Sequence, residues 1–346
     1  MTSFQSTRTL LFALIWAMLL PVPRSSAQTG SRKDTRSSWV DRFFGLNRDH
    51  SGGWLFAASR EDGKDGVYFA ISKDGYHWKL VNDGRPIVVQ AQRGELMRDP
   101  FVQRAPDGSF RMVWTSSTGA PATIGYSTSS NLLFWSEHRQ LSVAAAIPAA
   151  RNALAPAMYY EPDKKDWLIL WSSTSLVSGK TGDALDNRIY ATSTKDFKRF
   201  TPARLFFDPG YAVTGATLLP VSGKEGQFYL LFNGEHGTST PGRISAATGP
   251  SIDGPWHDLG SPLAEAGAES PAAIPVPGGY LVYYNHGGTP QHHGASFSAD
   301  LQHWTDATAK ITLPEGMSRG SLLHLETSEY NLLLDYHGIF DSGVRK

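Results

Sequence analysis

Two carboxylates stand beside prolines in otherwise strand-like sequence: Asp99 in Arg98-Asp99-Pro100 and Glu269 in Glu269-Ser270-Pro271. A pair of acidic groups brought together from distant parts of a chain is the minimal apparatus for hydrolysing a glycosidic bond. One protonates the leaving oxygen, and the other activates water across a gap of roughly 6.5–9.5 Å or attacks directly across about 5 Å. The plainer reading is that Asp99 pairs with Arg98 or caps a turn, and that Glu269 is solvated. Arg98 and Arg319 are cations in the same sequence context. They could hold a carboxylated sugar by bidentate contacts or simply bridge neighbouring elements. Glu235, in Phe232-Asn233-Gly234-Glu235-His236, is a spare carboxylate, more simply a loop residue.

Histidines gather late in the chain, at His286, His292, His293, His324 and His337. His292 and His293 are adjacent in a strand, so they point to opposite faces and cannot both reach one metal. No metal-ligand set is read here. His324 could point inward from its strand, and His286 or His236 could touch a substrate from a blade corner. Cys is absent, which excludes disulfides and thiolate chemistry. No phosphate loop, serine elbow or basic nucleic-acid patch occurs.

The elements that must position these residues announce themselves as a repeat. Five copies of one phrase begin at Gly66, Thr123, Arg188, Arg243 and Gly294. Each is a short alternating strand, a Ser/Thr step, a polar turn and a closing aromatic. The aromatics are Trp78, Trp135, Phe200, Trp256 and Trp304, with spacings of 57, 65, 56 and 48 residues. Several strands per period of this size indicate a β-propeller blade.

Strand pairs starting at Asp99, Leu154, Thr214 and Glu269 precede four of the phrases. A fifth pair, at Arg319–His337, has no phrase after it, and the phrase at Gly66 has only Gly52–Ser59 before it. The fold expected is all-β, a five-bladed β-propeller whose ring is closed by strands from both chain ends. Truncation after about Glu315 should then unfold it. The first strand of each blade lines the channel. This places Arg98-Asp99-Pro100, Ala155-Pro156-Ala157, Thr214-Gly215-Ala216, Glu269-Ser270-Pro271 and Arg319-Gly320-Ser321 around one rim, with Asp99 and Glu269 at matching positions. Trp114 and Trp171 read as core. Trp54 and Trp39 could stack on a sugar.

Domain organisation is simple. Residues 1–27 carry an apolar run at Leu10–Leu20, prolines at 21 and 23 and small residues at Ser25-Ser26-Ala27, the layout of a secretory signal peptide. Residues 28–50 form a polar linker or arm, and 51–346 the propeller. Lys plus Arg and Asp plus Glu both number 32, so no net charge draws the chain to nucleic acid or to anionic lipid.

The runs from Met97 to Ser117, Ile124 to Val143, Arg151 to Ser173, Arg188 to Leu219 and Gly267 to Asn285 resemble glycoside hydrolase family 43, more narrowly its arabinosidase-like and xylosidase-like members. The resemblance covers the chain from about Gly53 onward. It implies an exported enzyme, secreted or periplasmic, acting by inversion on side chains of plant or microbial polysaccharides, most plausibly an α-L-arabinofuranoside or β-xyloside. Asp99 would be the base and Glu269 the acid. The implied partner is an oligo- or polysaccharide, with no nucleic acid, no membrane after signal cleavage, and a monomeric state. No cofactor is expected beyond a structural calcium ion in the channel.

The sequence departs from that family at three places. The Asp that tunes the acid is replaced by Gly215, Leu154-Ala155-Pro156-Ala157 stands for a Trp-Ala-Pro-Glu motif, and Arg319-Gly320-Ser321 stands for His-Gly-Thr. The alternative is therefore a carbohydrate-binding propeller that has lost hydrolysis. A hydrolase for an acidic sugar, using Arg98 or Arg319, is a further option. Ser72–Trp78 also resembles the Asp-box turn of sialidases, but the other copies lack its glycine and the units number five rather than six.

Overall fold

A computed structural model of the chain describes residues 52–60, 63–91, 94–176, 185–221, 227–235, 242–286 and 292–337. The expected signal peptide and arm, Trp39 and His236 lie outside these residues.

Five four-stranded antiparallel sheets make the five blades. Blade 1 holds β1 (Trp54–Ser59), β2 (Val67–Ser72) and β3 (Lys79–Leu80). Blade 2 is β4 (Arg98–Arg104), β5 (Phe110–Thr115), β6 (Ile124–Ser129) and β7 (Arg139–Leu141). Blade 3 is β8 (Leu154–Glu161), β9 (Asp166–Leu176), β10 (Leu185–Thr194) and β11 (Arg204–Phe207). Blade 4 is β12 (Ala212–Pro220), β13 (Phe228–Glu235), β14 (Arg243–Gly249) and β15 (His257–Pro262). Blade 5 is β16 (Ala268–Val276), β17 (Gly279–His286), β18 (His292–Ser298) and β19 (Thr305–Asp306).

The last strand, β20 (Ser318–His324), pairs with β1 from Trp54↔His324 to Ser59↔Ser318. It packs against β4 on one side and β16 on the other. The ring is thus closed by both chain ends, as the repeat count requires.

One element differs from expectation. The segment after β20 is not the second strand of a hairpin but a helix, α1 (Thr327–Leu334). Its start is fixed by a reciprocal capping box between Glu326 and Glu329, and its buried residues Tyr330 and Leu333 recur at helical spacing. The ladder position beside β20 is already taken by β1, so a second strand there has nothing to pair with.

Cores lie between neighbouring blades. Trp114 with Phe69 and Leu55 fills the blade 1–2 seam, and Trp171 with Ile169 and Met158 fills the blade 2–3 seam. Both tryptophans are fully buried. The closing aromatic of each phrase packs into the seam with the preceding blade: Trp78 into blades 5–1, Trp135 into 1–2, Phe200 into 2–3, Trp256 into 3–4 and Trp304 into 4–5. The repeat is therefore a packing rule, with one aromatic locking each seam. Truncating such a side chain to Ala typically costs about 3–5 kcal/mol when it is fully buried.

In four of the five blades the polar turn before the aromatic is equally regular. In blade 1 the Ser72 hydroxyl accepts the Gly75 N–H, and Asp74 Oδ1 accepts the N–H groups of Tyr76 and His77. Asn131 does the same for Leu133 and Phe134, Asp196 for Lys198 and Arg199, and Asp300 for Gln302 and His303. The residue after each of these acceptors is left-handed: Gly75, Leu132, Phe197 and Leu301, with φ from +53° to +78°. The box glycine is thus dispensable, because the side-chain acceptors hold the turn.

Candidate active site at the channel mouth

Each innermost strand begins with a bulge. The register shifts between Arg98 and Phe101, Leu154 and Ala157, Thr214 and Thr217, and Glu269 and Ala272, and opposite Ala58/Ser59 in β20. The bulged residues are Asp99, Ala155, Gly215, Ser270 and Arg319, and all five are left-handed, with φ of +53°, +45°, +58°, +57° and +49°. For an ordinary side chain this conformation costs about 1–2 kcal/mol. Its recurrence around the ring marks a feature of the fold that re-aims one residue per blade.

This alignment corrects the sequence reading. Asp99 matches Ala155, Gly215, Ser270 and Arg319, whereas Glu269 matches Arg98, Leu154, Thr214 and Ser318, one residue earlier. Both carboxylates stand at the starts of innermost strands, but they leave their blades from different steps of the bulge, and Asp99 lines the cavity whereas Glu269 is not among its lining residues. Blade 1 lies between their blades, since β20 contacts both β4 and β16.

Asp99 is buried, 8 % exposed. The Thr115 hydroxyl donates to its Oδ2 at 2.6 Å, and Arg98 Nε lies 3.5 Å from the same oxygen. Oδ1 receives no hydrogen bond from the described residues. Thr115 Oγ1 also accepts the Ala155 N–H of the next blade at 2.8 Å. Ser172, at the matching place on β9, accepts the Gly215 N–H at 2.9 Å. One hydroxyl on the second strand of a blade therefore ties down the bulge of the next, and in blade 2 the same hydroxyl orients a carboxylate.

Glu269 is half-buried. Arg319 Nη2 donates to its Oε1 at 2.5 Å across the seam between blades 5 and 1, and Oε2 receives no hydrogen bond from the described residues. Arg98 and Arg319 are thus engaged by the two carboxylates.

The channel below holds a cavity of about 90 Å³, large enough for several waters. Asp99, Ala155, Gly215 and Ser270 line its upper part, with Trp54, Gln103, Tyr159 and His324 among the residues below. Trp54 is 3 % exposed and meets His324 edge-on at 5.2 Å, so it is a wall of the channel rather than a sugar platform. Burial pushes the Tyr159 phenol up to about 12, so it stays neutral. It accepts the Leu218 N–H and contacts Thr217 Oγ1, bracing blade 3 against blade 4.

A Cβ on Gly215 would meet nothing within 4 Å. Glu235 ends β13 exposed and is not among the cavity residues. His286 ends β17 on the rim. A calcium ion would need six to eight oxygens. The side chains lining the described channel supply one carboxylate, Asp99, already bonded to Thr115, besides the neutral oxygens of Gln103, Tyr159, Thr217, Ser270 and Ser321 and the His324 ring. With a single carboxylate among neutral groups, an ion held there would draw part of its shell from water.

Ala155, Ser270 and Arg319 were placed on the rim from the sequence, but their equivalence with Asp99 was missed. A signal was present: proline inside an innermost strand is confined to bulges, and Pro100, Pro156 and Pro271 align the blades at this step.

Residues 52–330 match the family described as "Probable glycosyl hydrolase domain", related to family 43. Among curated proteins no sequence matches the chain. Several solved structures share the fold. A thermostable family-43 glycoside hydrolase aligns with a TM-score of 0.56 at 14 % identity, over 76 % of this chain and 91 % of that one. An α-L-arabinanase from Cellvibrio cellulosa, solved with arabinohexaose, aligns at 0.52 and 15 %, over 78 % and 96 %. An endo-1,4-β-xylanase from Bacteroides thetaiotaomicron aligns at 0.52 and 15 %, over 73 % and 89 %.

Proposed function

Because the chain belongs to the family of probable glycosyl hydrolase domains related to family 43, we propose that it is an exported glycoside hydrolase cleaving side-chain sugars from plant or microbial polysaccharide, with an α-L-arabinofuranoside or β-xyloside as substrate. The observation that carries this reading is the pair of carboxylates at the starts of innermost strands, each with one oxygen engaged and one without a hydrogen bond from the described residues. Asp99 Oδ1 takes the proton of the attacking water, while Thr115 holds Oδ2. Glu269 Oε2 gives its proton to the leaving oxygen, while Arg319 holds Oε1. The product then has inverted configuration. After removal of residues 1–27 the enzyme acts as a monomer in the periplasm or outside the cell. No helix among the described residues is long and apolar enough to cross a membrane.

A second reading is supported by Gly215 and by the Arg319–Glu269 pair. A propeller without the third acidic residue, and with its acid bonded to a guanidinium, would bind saccharide without cleaving it. Sugar release from nitrophenyl glycosides and from arabinan, xylan and galactan oligosaccharides separates the two. Release that disappears in Glu269→Gln supports the hydrolase and its acid. Release unchanged in that variant overturns the site, and a folded protein that binds but never cleaves supports the second reading.

A further inference from the structure

We propose that Glu265, His286 and His292 form a binding site for a zinc-like divalent ion on the rim of the channel mouth. His286 and His292 are direct cross-strand partners in β17 and β18, so their side chains leave the same face of blade 5. Their rings stack at 4.6 Å and 13°. Glu265 comes from the loop between β15 and β16. The loop turns back at Gly267, with φ of +88°, where a Cβ would press on the His286 ring at 3.2 Å. The Gly267 N–H donates to Gly242 O, and the Ala268 N–H donates to Glu265 O, which fixes the loop against the ring.

One ligand atom from each of the three residues lies within 4.8 Å of the others. The His286 Nε2 to Glu265 Oε1 distance is 3.5 Å. That already matches the edge of a tetrahedron built on bonds of about 2.1 Å, near 3.4 Å, so only His292, which is exposed, must turn inward. Two imidazoles and one carboxylate leave a fourth position open, a set that suits zinc and its neighbours better than calcium or magnesium.

The site is distinct from the carboxylate pair. Ala268, His286 and His292 share one face of blade 5, toward blade 4, whereas Glu269, Asn285 and His293 share the other, toward Arg319 of blade 1. An ion held there would pin the loop that leads into Glu269 to the β17–β18 ladder. It would stiffen the mouth without touching substrate.

The test is calorimetric titration of zinc chloride into the full chain, purified without a histidine tag and stripped with chelator, with thermal unfolding measured alongside. The expected result is one zinc per chain and a raised melting temperature. Both should be lost or weakened at least tenfold in His292→Ala and in Glu265→Gln. Those two residues are exposed, so the variants keep their fold. No zinc binding by the parent protein, or binding of equal strength in both variants, overturns the proposal.

Discussion

The two ends of the repeat kink the chain in the same way and diverge in opposite ways. After the third strand, four blades use one turn, in which a hydroxyl and an Asp or Asn collect backbone N–H groups around a left-handed residue. At the start of the innermost strand, five blades use one bulge around a left-handed residue, but its side chain is Asp, Ala, Gly, Ser or Arg. At the turn the side chain makes the geometry, so its chemistry is restricted. At the bulge the sheet and the neighbouring blade make the geometry, through hydroxyls such as Thr115 and Ser172. The side chain there is free for other work. Damage to the turns should cost stability and spare activity, whereas damage to the bulges should do the reverse.

The largest effect expected removes a bulge with its strand. Ending the chain after Glu315 deletes β20, opens the ring between β4 and β16 and exposes the edge of β1. The cooperative thermal transition should vanish. A truncated protein that still melts in one sharp transition would break the claim that the ring geometry comes from the sheets.

Next come single bulge and rim residues. Asp99→Asn and Glu269→Gln should each lower sugar release by about 10²–10⁴-fold, the usual worth of a positioned acid or base. Far-UV circular dichroism should not change. Asp300→Asn, at a turn, should leave the rate at neutral pH unaltered, and a comparable rate loss there would erase the distinction between the two ends.

A smaller effect sharpens it. Thr115→Val and Ser172→Ala each remove the hydroxyl that receives the next bulge N–H, and each should cost about 1 kcal/mol in urea unfolding. Only Thr115→Val also releases Asp99 Oδ2, so only that variant should lower the rate. Equal rates in the two variants would mean that Thr115 merely holds the blade.

The same contrast explains what could be read from the sequence. The blades were legible because closing aromatics, hairpin turns and apolar second strands each follow local rules, and five copies reinforce one another. Asp99 and Glu269 were found because carboxylates beside prolines are conspicuous. Their equivalence was misjudged because a bulge shifts register by one residue, and only the paired strand reveals the step. Leu154-Ala155-Pro156 aligns with Arg98-Asp99-Pro100 once Thr115 and Ser172 are seen opposite. The α1 segment was misread because Asn331-Leu332-Leu333-Leu334 is apolar enough for a buried strand, and the deciding fact, that β1 already pairs β20, is tertiary.

The smallest effect belongs to the turns and is seen only in acid. Hydrogen bonds from the backbone of Arg199 and Lys198, with the Arg199 guanidinium, hold Asp196 down to about 2. The Asp300 carboxyl is also lowered, chiefly by His303 and by the N–H groups of His303 and Gln302. A carboxylate whose value is lower in the folded than in the unfolded chain contributes stability that is complete above the ordinary carboxylate range and is lost as pH falls through the folded value. The melting temperature should therefore decline between about pH 4 and pH 2. Blade 2 supplies the control, because Asn131 performs the same turn with a neutral acceptor. Asp196→Asn should keep the turn and flatten part of the acid slope, with sugar release at neutral pH unaffected. A slope as steep as that of the parent chain would mean that the turn carboxylates do not set the acid limit.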